Sequence, residues 1–197
     1  GTPEEHIRAE EAGHAWEACM TFNGSWGYMP YAPPQDWRST REVLGMLREV
    51  TAAGGNLLLN VGPAPDGSIP PEAVERLQPV GKWLAKYGEA AYGKLSRADT
   101  FEWCPLGAWT RKGKTAYFWC SRWPGKEIVI GGLRTKLLNA SFLHNGNSIS
   151  FQQSKGQLRL QGLPESSPDR IAGITVLKLE FAAKPRQTLG AGCVVLK

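Results

Sequence analysis

The chain has 197 residues, of which 42% are hydrophobic and 21% charged, which is typical of a globular protein rather than a disordered one. Its formal net charge is +5, but the 23 Lys and Arg residues are scattered among 18 Asp and Glu residues, which argues against nucleic-acid binding. Apolar runs are only a few residues long, so we expect a soluble chain without a membrane span.

The start of the chain, GTPEE, has no methionine and no leader pattern. We therefore expect a mature, cut or engineered terminus, and the compartment stays open.

Helix and strand signals alternate up to about residue 93. Residues 15–31 are rich in Trp, Asn, Gly and Tyr and predict a strand that runs into a loop. Ser39 and Glu42 then lie at capping-box spacing, and apolar residues follow at helical intervals until Gly54, which predicts an amphipathic helix. Residues 56–61 lack polar alternation, so we expect an interior parallel strand that is buried on both faces.

A second helix is predicted from about residue 71, and Pro79 should kink or restart it between residues 78 and 81. A single parallel strand with two helices cannot complete a sheet, because parallel strands pair within larger sheets. The pattern therefore indicates the end of a larger α/β unit whose other strands lie upstream.

From about residue 95 the chain changes to short runs of β-branched and aromatic residues separated by Gly, Asn and Pro turns. The pattern predicts an antiparallel sandwich of about eight strands. The candidate strands are residues 108–110, 115–120, 127–130, 137–143, 148–151, 157–161, 175–180 and 193–196.

The four cysteines, Cys19, Cys104, Cys120 and Cys193, are far apart, and the three histidines are isolated from one another. No metal-site spacing results, so we expect neither a metal nor a cofactor. Buried free thiols are favoured over disulfides.

Several motifs follow one another in the first half of the chain. They are WEACMTFNGSWGY at residues 16–28, GGNLLLNVGP at 54–63, DGSIP at 66–70, ERL at 75–77 and GKWL at 81–84. In order and spacing they resemble the α-L-fucosidases of glycoside hydrolase family 29. The resemblance covers essentially the whole chain and is less specific in the β-rich part. It implies the C-terminal portion of a (β/α)8-like barrel in residues 1–94 and a C-terminal antiparallel β-sandwich in residues 95–197.

The resemblance also implies a retaining glycosidase that releases terminal α-L-fucose from glycans. Such enzymes need two carboxyl groups about 5 to 5.5 Å apart. The family nucleophile is an aspartate on a middle barrel strand, and no motif here matches it, so we expect it upstream of Gly1. The chain alone should be inactive unless the missing N-terminal half of the barrel complements it; a homo-oligomer that covers the open barrel is the other expected partner.

For the second carboxylate, the candidate acid/base is Glu17, because the apolar bulk of Trp16 beside it would favour the protonated form. The alternative is that Glu17 pairs with an arginine and holds a loop. Some family members carry an acid at the position of Asn23, so the acid/base position stays open. We expect Glu17 and Asn23 beside a loop after one strand and Asn60 at the C-terminal end of another, reaching a common pocket.

The substrate-binding candidates implied by the resemblance are Asn23, Trp26, Tyr28, Asn56 and Asn60. The two aromatic rings would form a wall for the methyl group and ring face of a deoxy sugar. The asparagines would hydrogen-bond to sugar hydroxyls, or alternatively cap their own loops. Asp66 is explained by a turn.

A cluster of tryptophans lies in the β-rich part: Trp103, Trp109, Trp119 and Trp123. Aromatic platforms of this kind bind sugars in some proteins, but packing in the core or at the interface with the barrel is favoured here. The alternative function is accordingly a non-catalytic remnant that binds carbohydrate or a partner protein.

Overall fold

The computed structural model describes residues 4–7 and 14–188. The chain divides into two compact units, residues 1–85 and 86–197. The first unit is mixed α/β, and the second is built from antiparallel sheets. Within the described ranges, no helix combines the length and the apolar character needed to span a membrane. The expected strand at residues 193–196 and Cys193 lie outside these ranges.

The first unit contains a strand–helix–strand arrangement: β1 (Glu17–Thr21), α1 (Thr40–Ala52) and β2 (Asn56–Asn60). The two strands pair in parallel, with Glu17 opposite Asn56 and Thr21 opposite Asn60. On the other side of β1, Glu4 forms a parallel bridge with Cys19. The parallel pairing of β2 is as expected from the sequence.

The ends of α1 follow the sequence signals. The Ser39 hydroxyl accepts a hydrogen bond from the Glu42 backbone N–H (3.2 Å), and the Glu42 carboxylate accepts one from the Ser39 backbone N–H (2.7 Å). After the helix, Gly54 takes a positive φ of 80°, which a residue with a Cβ rarely adopts. The predicted capping box is confirmed.

The expected burial of β2 on both faces was wrong. Trp16, Ala18 and Val50 form a small core on the α1 side of the sheet, and Leu57 packs against it. The opposite side carries Leu58, which is 41% exposed. The reason is that α1 covers only one side of the sheet, whereas parallel strands are normally covered on both.

The helix α2 (Pro71–Tyr87) runs through Pro79 as one element, so it does not restart between residues 78 and 81, and the alternative of a kink stays a prediction. A proline inside a helix costs about 3 kcal/mol. Burial of Ala73, Val80 and Trp83 on this helix offsets that cost. Near its start, α2 is joined to α1 by a hydrogen bond from the Thr40 hydroxyl to the Arg76 carbonyl (2.9 Å).

The second unit contains two antiparallel sheets with strand orders β3-β4-β9-β6 and β5-β8-β7. The strands are β3 (Gly107–Lys112), β4 (Thr115–Cys120), β5 (Glu127–Gly131), β6 (Leu137–Phe142), β7 (Ser150–Ser154), β8 (Gln157–Gln161) and β9 (Thr175–Phe181). The predicted bounds of β4 and β8 are correct to the residue, and β7 begins two residues later than the predicted 148.

Both sheets contribute to one hydrophobic core. Phe118 and Leu177 enter it from the four-stranded sheet, and Leu158 and Leu160 enter it from the three-stranded sheet. The interdigitation of apolar side chains from two sheets is the arrangement that stabilises such a pair. The expectation of an antiparallel two-sheet arrangement is confirmed for the described residues.

Most of the cysteines and tryptophans described in this unit are buried or partly buried, and Trp103 is the exception. Cys104 and Cys120 are buried. Trp109 and Trp119 are buried, and the Trp119 indole N–H donates to the Thr110 hydroxyl (2.9 Å). Trp103, however, is 79% exposed, so it does not pack in the core of this unit, and its packing against a barrel stays a prediction. It lies outside the regular strands, where no sheet covers it.

Candidate functional site

The C-terminal ends of β1 and β2 lie side by side, and one loop leaves from each. Beyond the Thr21–Asn60 pair, the Phe22 N–H donates to the Asn60 carbonyl (3.1 Å). Residues 22–37 form the loop after β1, here called the first loop, and residues 61–70 form the loop after β2, the second loop. Asn60 is therefore where the sequence placed it, at the C-terminal end of its strand.

The two loops are held together by two close approaches. The Asn60 side-chain amide donates to the Trp26 carbonyl (2.8 Å). Gly62 lies against the backbone of Gly27, where a Cβ atom on Gly62 would overlap the Gly27 carbonyl group. The loops are thus fixed by backbone contacts that need an amide at position 60 and the absence of a side chain at position 62.

The aromatic residues of the first loop are accessible to a ligand. Trp26 is 46% exposed and Tyr28 is 40% exposed. Asn23, in contrast, uses its Oδ1 atom to accept a hydrogen bond from the Ser25 backbone N–H (3.3 Å). Asn23 and Asn60 therefore both shape this loop through their side chains, in line with the loop-capping alternative.

One side of the β1–β2 sheet, opposite α1, carries a mixed set of side chains, and we call it the open face. Side chains alternate along a strand, and paired residues of parallel strands share a face. The open face therefore consists of Glu17, Cys19 and Thr21 on β1 and Asn56, Leu58 and Asn60 on β2.

Glu17 and Asn56 lie at the far end of the open face. Glu17 is the first residue of β1 and pairs with Asn56, four residues before Thr21. At roughly 3.3 Å per residue, the two strand ends are about 13 Å apart. Glu17 therefore begins β1 rather than following a strand, and the common pocket expected for Glu17, Asn23 and Asn60 stays a prediction.

The surroundings of Glu17 also differ from the expectation. Trp16 packs with Ala18 and Val50 on the α1 side of the sheet, away from the open face. The Glu17 carboxylate instead lies 3.8 Å from the Cys19 thiol, where partial burial and then the charge of Glu17 raise the pKa of that thiol above its ordinary value. Cys19 therefore stays protonated at neutral pH.

The carboxylate found at the C-terminal end of β1 is Glu5. Its Oε1 atom accepts a hydrogen bond from the Thr21 N–H (2.6 Å), and its Oε2 atom pairs with Arg38 (3.3 Å). Arg38 also donates to the Thr21 carbonyl (2.8 Å). The arginine pairing considered for Glu17 is therefore made by Glu5.

Sequence reasoning missed Glu5 because residues 4–7 carry no helical or strand periodicity. One structural signal accompanies its position: Glu5 takes a positive φ of 56°, which non-glycine residues seldom adopt and which concentrates at functional sites. The acid/base role of Glu17 stays a prediction, and Glu5 becomes a second carboxylate to consider.

A cavity of about 310 Å³ lies between the first loop, the second loop and the start of α2. Its lining includes Tyr28, Met29, Trp37, Asp66, Pro70 and Glu72. Of these, only Tyr28 was proposed from the sequence as a ligand-binding residue. Trp37 and Glu72 carried no sequence signal, since they are far apart in the chain and meet only through the loops.

Asp66 orders the second loop, as its Pro-Asp-Gly context predicts. Its Oδ1 atom accepts hydrogen bonds from the Ser68 backbone N–H (2.9 Å) and hydroxyl (2.6 Å). These bonds lower the pKa of the Asp66 carboxyl below its ordinary value. Asp66 is therefore ionised at neutral pH and presents a fixed negative charge to the cavity.

Comparisons with a family model and with known proteins all point to the same family. Residues 1–89 match a family model described as "Alpha-L-fucosidase". The chain is 34% identical over 173 residues to the tissue α-L-fucosidase of Mus musculus, covering 86% of this chain and 37% of that protein. It is 46% identical over 163 residues to the plasma α-L-fucosidase of Rattus norvegicus, covering 78% of this chain and 35% of that protein.

Solved structures agree with the sequence matches. α-L-Fucosidase isoenzyme 1 from Paenibacillus thiaminolyticus aligns with a TM-score of 0.80 at 28% identity, covering 91% of this chain and 44% of that one. A Thermotoga maritima α-fucosidase in complex with fucose aligns with a TM-score of 0.69 at 30% identity, covering 85% and 40%. The chain thus spans less than half the length of these relatives.

Proposed function

Because the chain is a relative of the α-L-fucosidases of glycoside hydrolase family 29 and corresponds to their C-terminal part, we propose that it supplies part of a fucosidase active site. The reaction is retaining hydrolysis of a terminal α-L-fucoside. The nucleophilic aspartate comes from another stretch of polypeptide, the N-terminal half of the barrel. The relative of Thermotoga maritima binds fucose, which supports this substrate class.

The open face of the β1–β2 sheet carries this proposal. Parallel strands occur almost only in sheets covered on both faces, and Leu58 and Asn56 are exposed on this one. An apolar side chain on an exposed sheet face favours burial by further protein. Additional barrel strands would cover it and bring their own C-terminal ends next to Thr21 and Asn60.

In the proposed arrangement, residues 1–94 form the last part of a (β/α)8-like barrel and residues 95–197 form the C-terminal β-sandwich domain. The first and second loops then lie at the catalytic end of the barrel. Trp26 and Tyr28, both exposed there, form the apolar wall for fucose, and Asn23 and Asn60 hold the loop that presents them.

The acid/base is one of two carboxylates of this chain. Glu17 is the candidate from the family motif. It lies beside Asn56 at the N-terminal ends of the two strands, at the far end of the open face from Thr21 and Asn60. Glu5 is supported by its position at the C-terminal end of β1, beside Thr21. Active sites of such barrels lie at that end, so geometry favours Glu5 over Glu17.

The test is hydrolysis of 4-nitrophenyl α-L-fucoside by two proteins. The first is the chain alone, and the second is a chimera in which this chain replaces the matching C-terminal part of the rat plasma enzyme. We expect no turnover by the chain alone and turnover by the chimera. Loss of a general acid lowers the rate by roughly 10²- to 10⁴-fold, so Glu5→Gln and Glu17→Gln chimeras identify which residue acts.

Two results would contradict the proposal. Turnover by the chain alone, abolished by either substitution, would mean that it contains a nucleophile of its own. A folded but inactive chimera would mean that these loops do not support the reaction. Circular dichroism of the chimera separates inactivity from misfolding.

One observation favours a second function, that of a non-catalytic carbohydrate-binding protein. Trp103 exposes 79% of its surface in the second unit, as ring platforms of sugar-binding proteins do. Glycan binding by the chain that is lost in Trp103→Ala, together with an inactive chimera, would favour this function.

A further inference from the structure

The fold of the second unit gathers cations that are scattered in the sequence. Residues 132–136, 153–156 and 184–188 lie next to one another, and they contain five exposed cations and neither Asp nor Glu. We call these cations the basic patch: Arg134, Lys136, Lys155, Lys184 and Arg186. Of the 23 Lys and Arg residues of the chain, the other 18 balance the 18 Asp and Glu residues, so the patch equals the whole net charge of +5.

Two like charges lie opposite each other in the basic patch. Leu133 forms an antiparallel bridge with Gln187, and next to it the Arg134 N–H donates to the Arg186 carbonyl (2.9 Å). The side chains of the bridged pair are buried, whereas both arginines are exposed on the other side. Like charges that face each other across paired strands are unfavourable. An anion bound between the two arginines would remove this repulsion.

Three of the five cations line a cavity of about 280 Å³. They are Arg134, Lys136 and Lys155, and the described residues of the lining include no acidic and no aromatic side chain. Gln153 fixes the cavity, because its side-chain amide donates to the Thr135 carbonyl (2.9 Å). The volume is just below the range of roughly 300–1,000 Å³ that is typical of sites for a whole small molecule. The cavity therefore suits a single anionic group.

The Arg134 guanidinium is oriented by its surroundings. Its Nε atom donates to the Thr188 hydroxyl (2.6 Å), and its Nη1 atom lies 3.7 Å from where a Cβ atom on Gly156 would be. The hydrogen bonds of the described residues do not engage the two terminal nitrogens of this side chain. A planar guanidinium with free terminal nitrogens can donate two parallel hydrogen bonds to one anion.

Lys155 is an unusual residue for the turn in which it lies. Lys155 and Gly156 join β7 to β8 with φ angles of 49° and 76°, which is the pattern of a type I′ hairpin turn. The first position of such turns is usually Asn, Asp or Gly, because other residues rarely adopt a positive φ. The turn therefore does not explain the lysine, whose charge adds to that of Arg134 in the lining of the cavity.

The positive charge of the basic patch is not neutralised by the described part of the protein. None of its five cations forms an ion pair there. The acids closest in sequence to residues 132–136 and 184–188 are engaged elsewhere: Glu127 pairs with Arg159, and Glu180 accepts from the Asn139 side chain (2.8 Å). Residues 189–197 contain neither Asp nor Glu. An external anion is therefore the natural partner of the patch.

We propose that the basic patch binds the sulfate groups of a sulfated polysaccharide. A sulfate monoester projects from its sugar ring and presents three oxygens. One such group can enter the cavity and accept hydrogen bonds from Arg134, Lys136 and Lys155. Further sulfates of the same chain then bind Lys184 and Arg186 outside the cavity. Because these anions are linked, each one bound raises the effective concentration of the next.

Other large anionic partners fit this surface less well. Single-stranded nucleic acids bind by stacking their bases on aromatic side chains, which the described lining of the cavity lacks. Membrane surfaces are bound through sets of apolar side chains, and beside these segments only Leu138 is a large apolar residue that is exposed among the described residues. Protein interfaces are depleted in lysine, which supplies three of the five cations here.

This inference goes beyond the proposed function, because the basic patch belongs to the second unit and its binding needs no hydrolysis of a fucoside. An inactive chimera would leave the inference intact. Failure of the chain to bind a sulfated polysaccharide would leave the proposed hydrolysis intact.

The test measures binding of the full chain to immobilised heparin, a sulfated polysaccharide, by surface plasmon resonance. The comparison probes are hyaluronan, which has carboxylates but no sulfates, and neutral dextran. We expect saturable binding to heparin and much weaker binding to the other two. Raising NaCl from about 50 mM to about 300 mM should weaken heparin binding, because salt screens exposed charges.

Two double variants separate the basic patch from general charge. Arg134→Gln with Lys155→Asn, in which Asn tolerates the positive φ, should raise the Kd for heparin about tenfold or more, because charge-assisted hydrogen bonds are lost. The matched control, Arg122→Gln with Lys94→Asn, removes the same charge from exposed positions of the second unit outside the patch. Its Kd should change by less than about twofold, because distant exposed charges are screened.

Two further measurements keep the test decisive. Circular dichroism verifies that each variant is folded, and Lys136→Gln with Arg186→Gln replaces the first pair if that pair does not fold. Arg134→Lys keeps the charge but removes the planar fork, so its Kd should lie between those of the parent chain and the patch variant.

Four results would overturn the inference. Heparin shows no saturable binding at low salt; hyaluronan binds as tightly as heparin; the control variant weakens binding as much as the patch variant; or duplex DNA or phosphatidylserine vesicles bind more tightly than heparin. The third result would mean that net charge, rather than the basic patch, governs binding.

Discussion

The sheets of the two units of the chain are covered in different ways. In the second unit, two antiparallel sheets cover each other, and Phe118 and Leu160 are fully buried between them. In the first unit, α1 covers one side of a two-stranded parallel sheet and leaves Leu58 exposed on the other. The sheets of the second unit thus cover each other, whereas the open face of the first unit, with its mixed side chains, is left uncovered by the described residues of that unit.

This difference bears on where function is expected. Open strand ends and exposed loops lie in the first unit, which is the less complete of the two. A surface that no other part of the unit covers can bind a further polypeptide or a ligand. Three measurements can break or sharpen the comparison.

The largest effect is expected from matched truncations in the two sheets. Phe118→Ala removes a fully buried ring and should lower the free energy of unfolding of the second unit by about 3–5 kcal/mol. Leu58→Ala, on the open face, should change the free energy of unfolding of the first unit by less than about 0.5 kcal/mol. Urea unfolding measured by circular dichroism compares them, and a similar cost for Leu58→Ala would mean that this face is covered in solution.

An intermediate effect is expected at the contact between the loops of the first unit. Gly62→Ala forces a methyl group against the Gly27 carbonyl and should cost about 1–3 kcal/mol, with faster hydrogen exchange of the first-loop amides. Gly27→Ala is the control from the same contact, since a Cβ atom there meets nothing within 4 Å. Equal effects of the two substitutions would show that the loops are not fixed at Gly62.

The smallest effect is expected from pH and belongs to the second unit. Burial, followed by the charge of Lys86, lowers the pKa of His144 below 6.5, and its ring contacts Tyr87 and Phe142. The unfolded chain therefore binds this proton more readily than the folded chain. Stability is full above pH 6.5 and decreases as the pH falls through that value toward the lower folded pKa.

The measurement is the urea midpoint of the chain and of His144→Phe at about pH 7.5 and 5.5. The variant should lose less stability on acidification than the parent chain. A larger loss in the variant would contradict the assignment of this pH dependence to His144. His6→Gln provides a control, because that histidine is exposed.

Local signals allowed much of the fold to be predicted from the sequence. The capping box of Ser39 and Glu42 gave the start of α1, and the turns around β4 and β8 gave strand bounds that are correct to the residue. These signals depend on residues close together in the chain, so a single sequence contains them. The parallel character of β2 was also predicted correctly.

Features that depend on distant neighbours were not predicted. The exposure of Leu58 depends on what lies across the sheet, and helix α2 continues through Pro79 while burying side chains such as Trp83. In the candidate site, the family motif indicated Glu17, whereas the structure places Glu5 at the strand end. No periodicity marks Glu5, and its position follows only from the bridge that Glu4 makes to β1.

The position of β9 has a consequence for how the protein is made. Among the described strands, β9 is the last of its sheet in sequence, and it lies in the middle of that sheet, between β4 and β6, so that Cys120 pairs with Thr175. While the ribosome is still translating the preceding residues, β4 and β6 have no shared neighbour and keep unpaired edges. Such long-range pairing is slow and leaves a nascent chain prone to association until Phe181 has emerged.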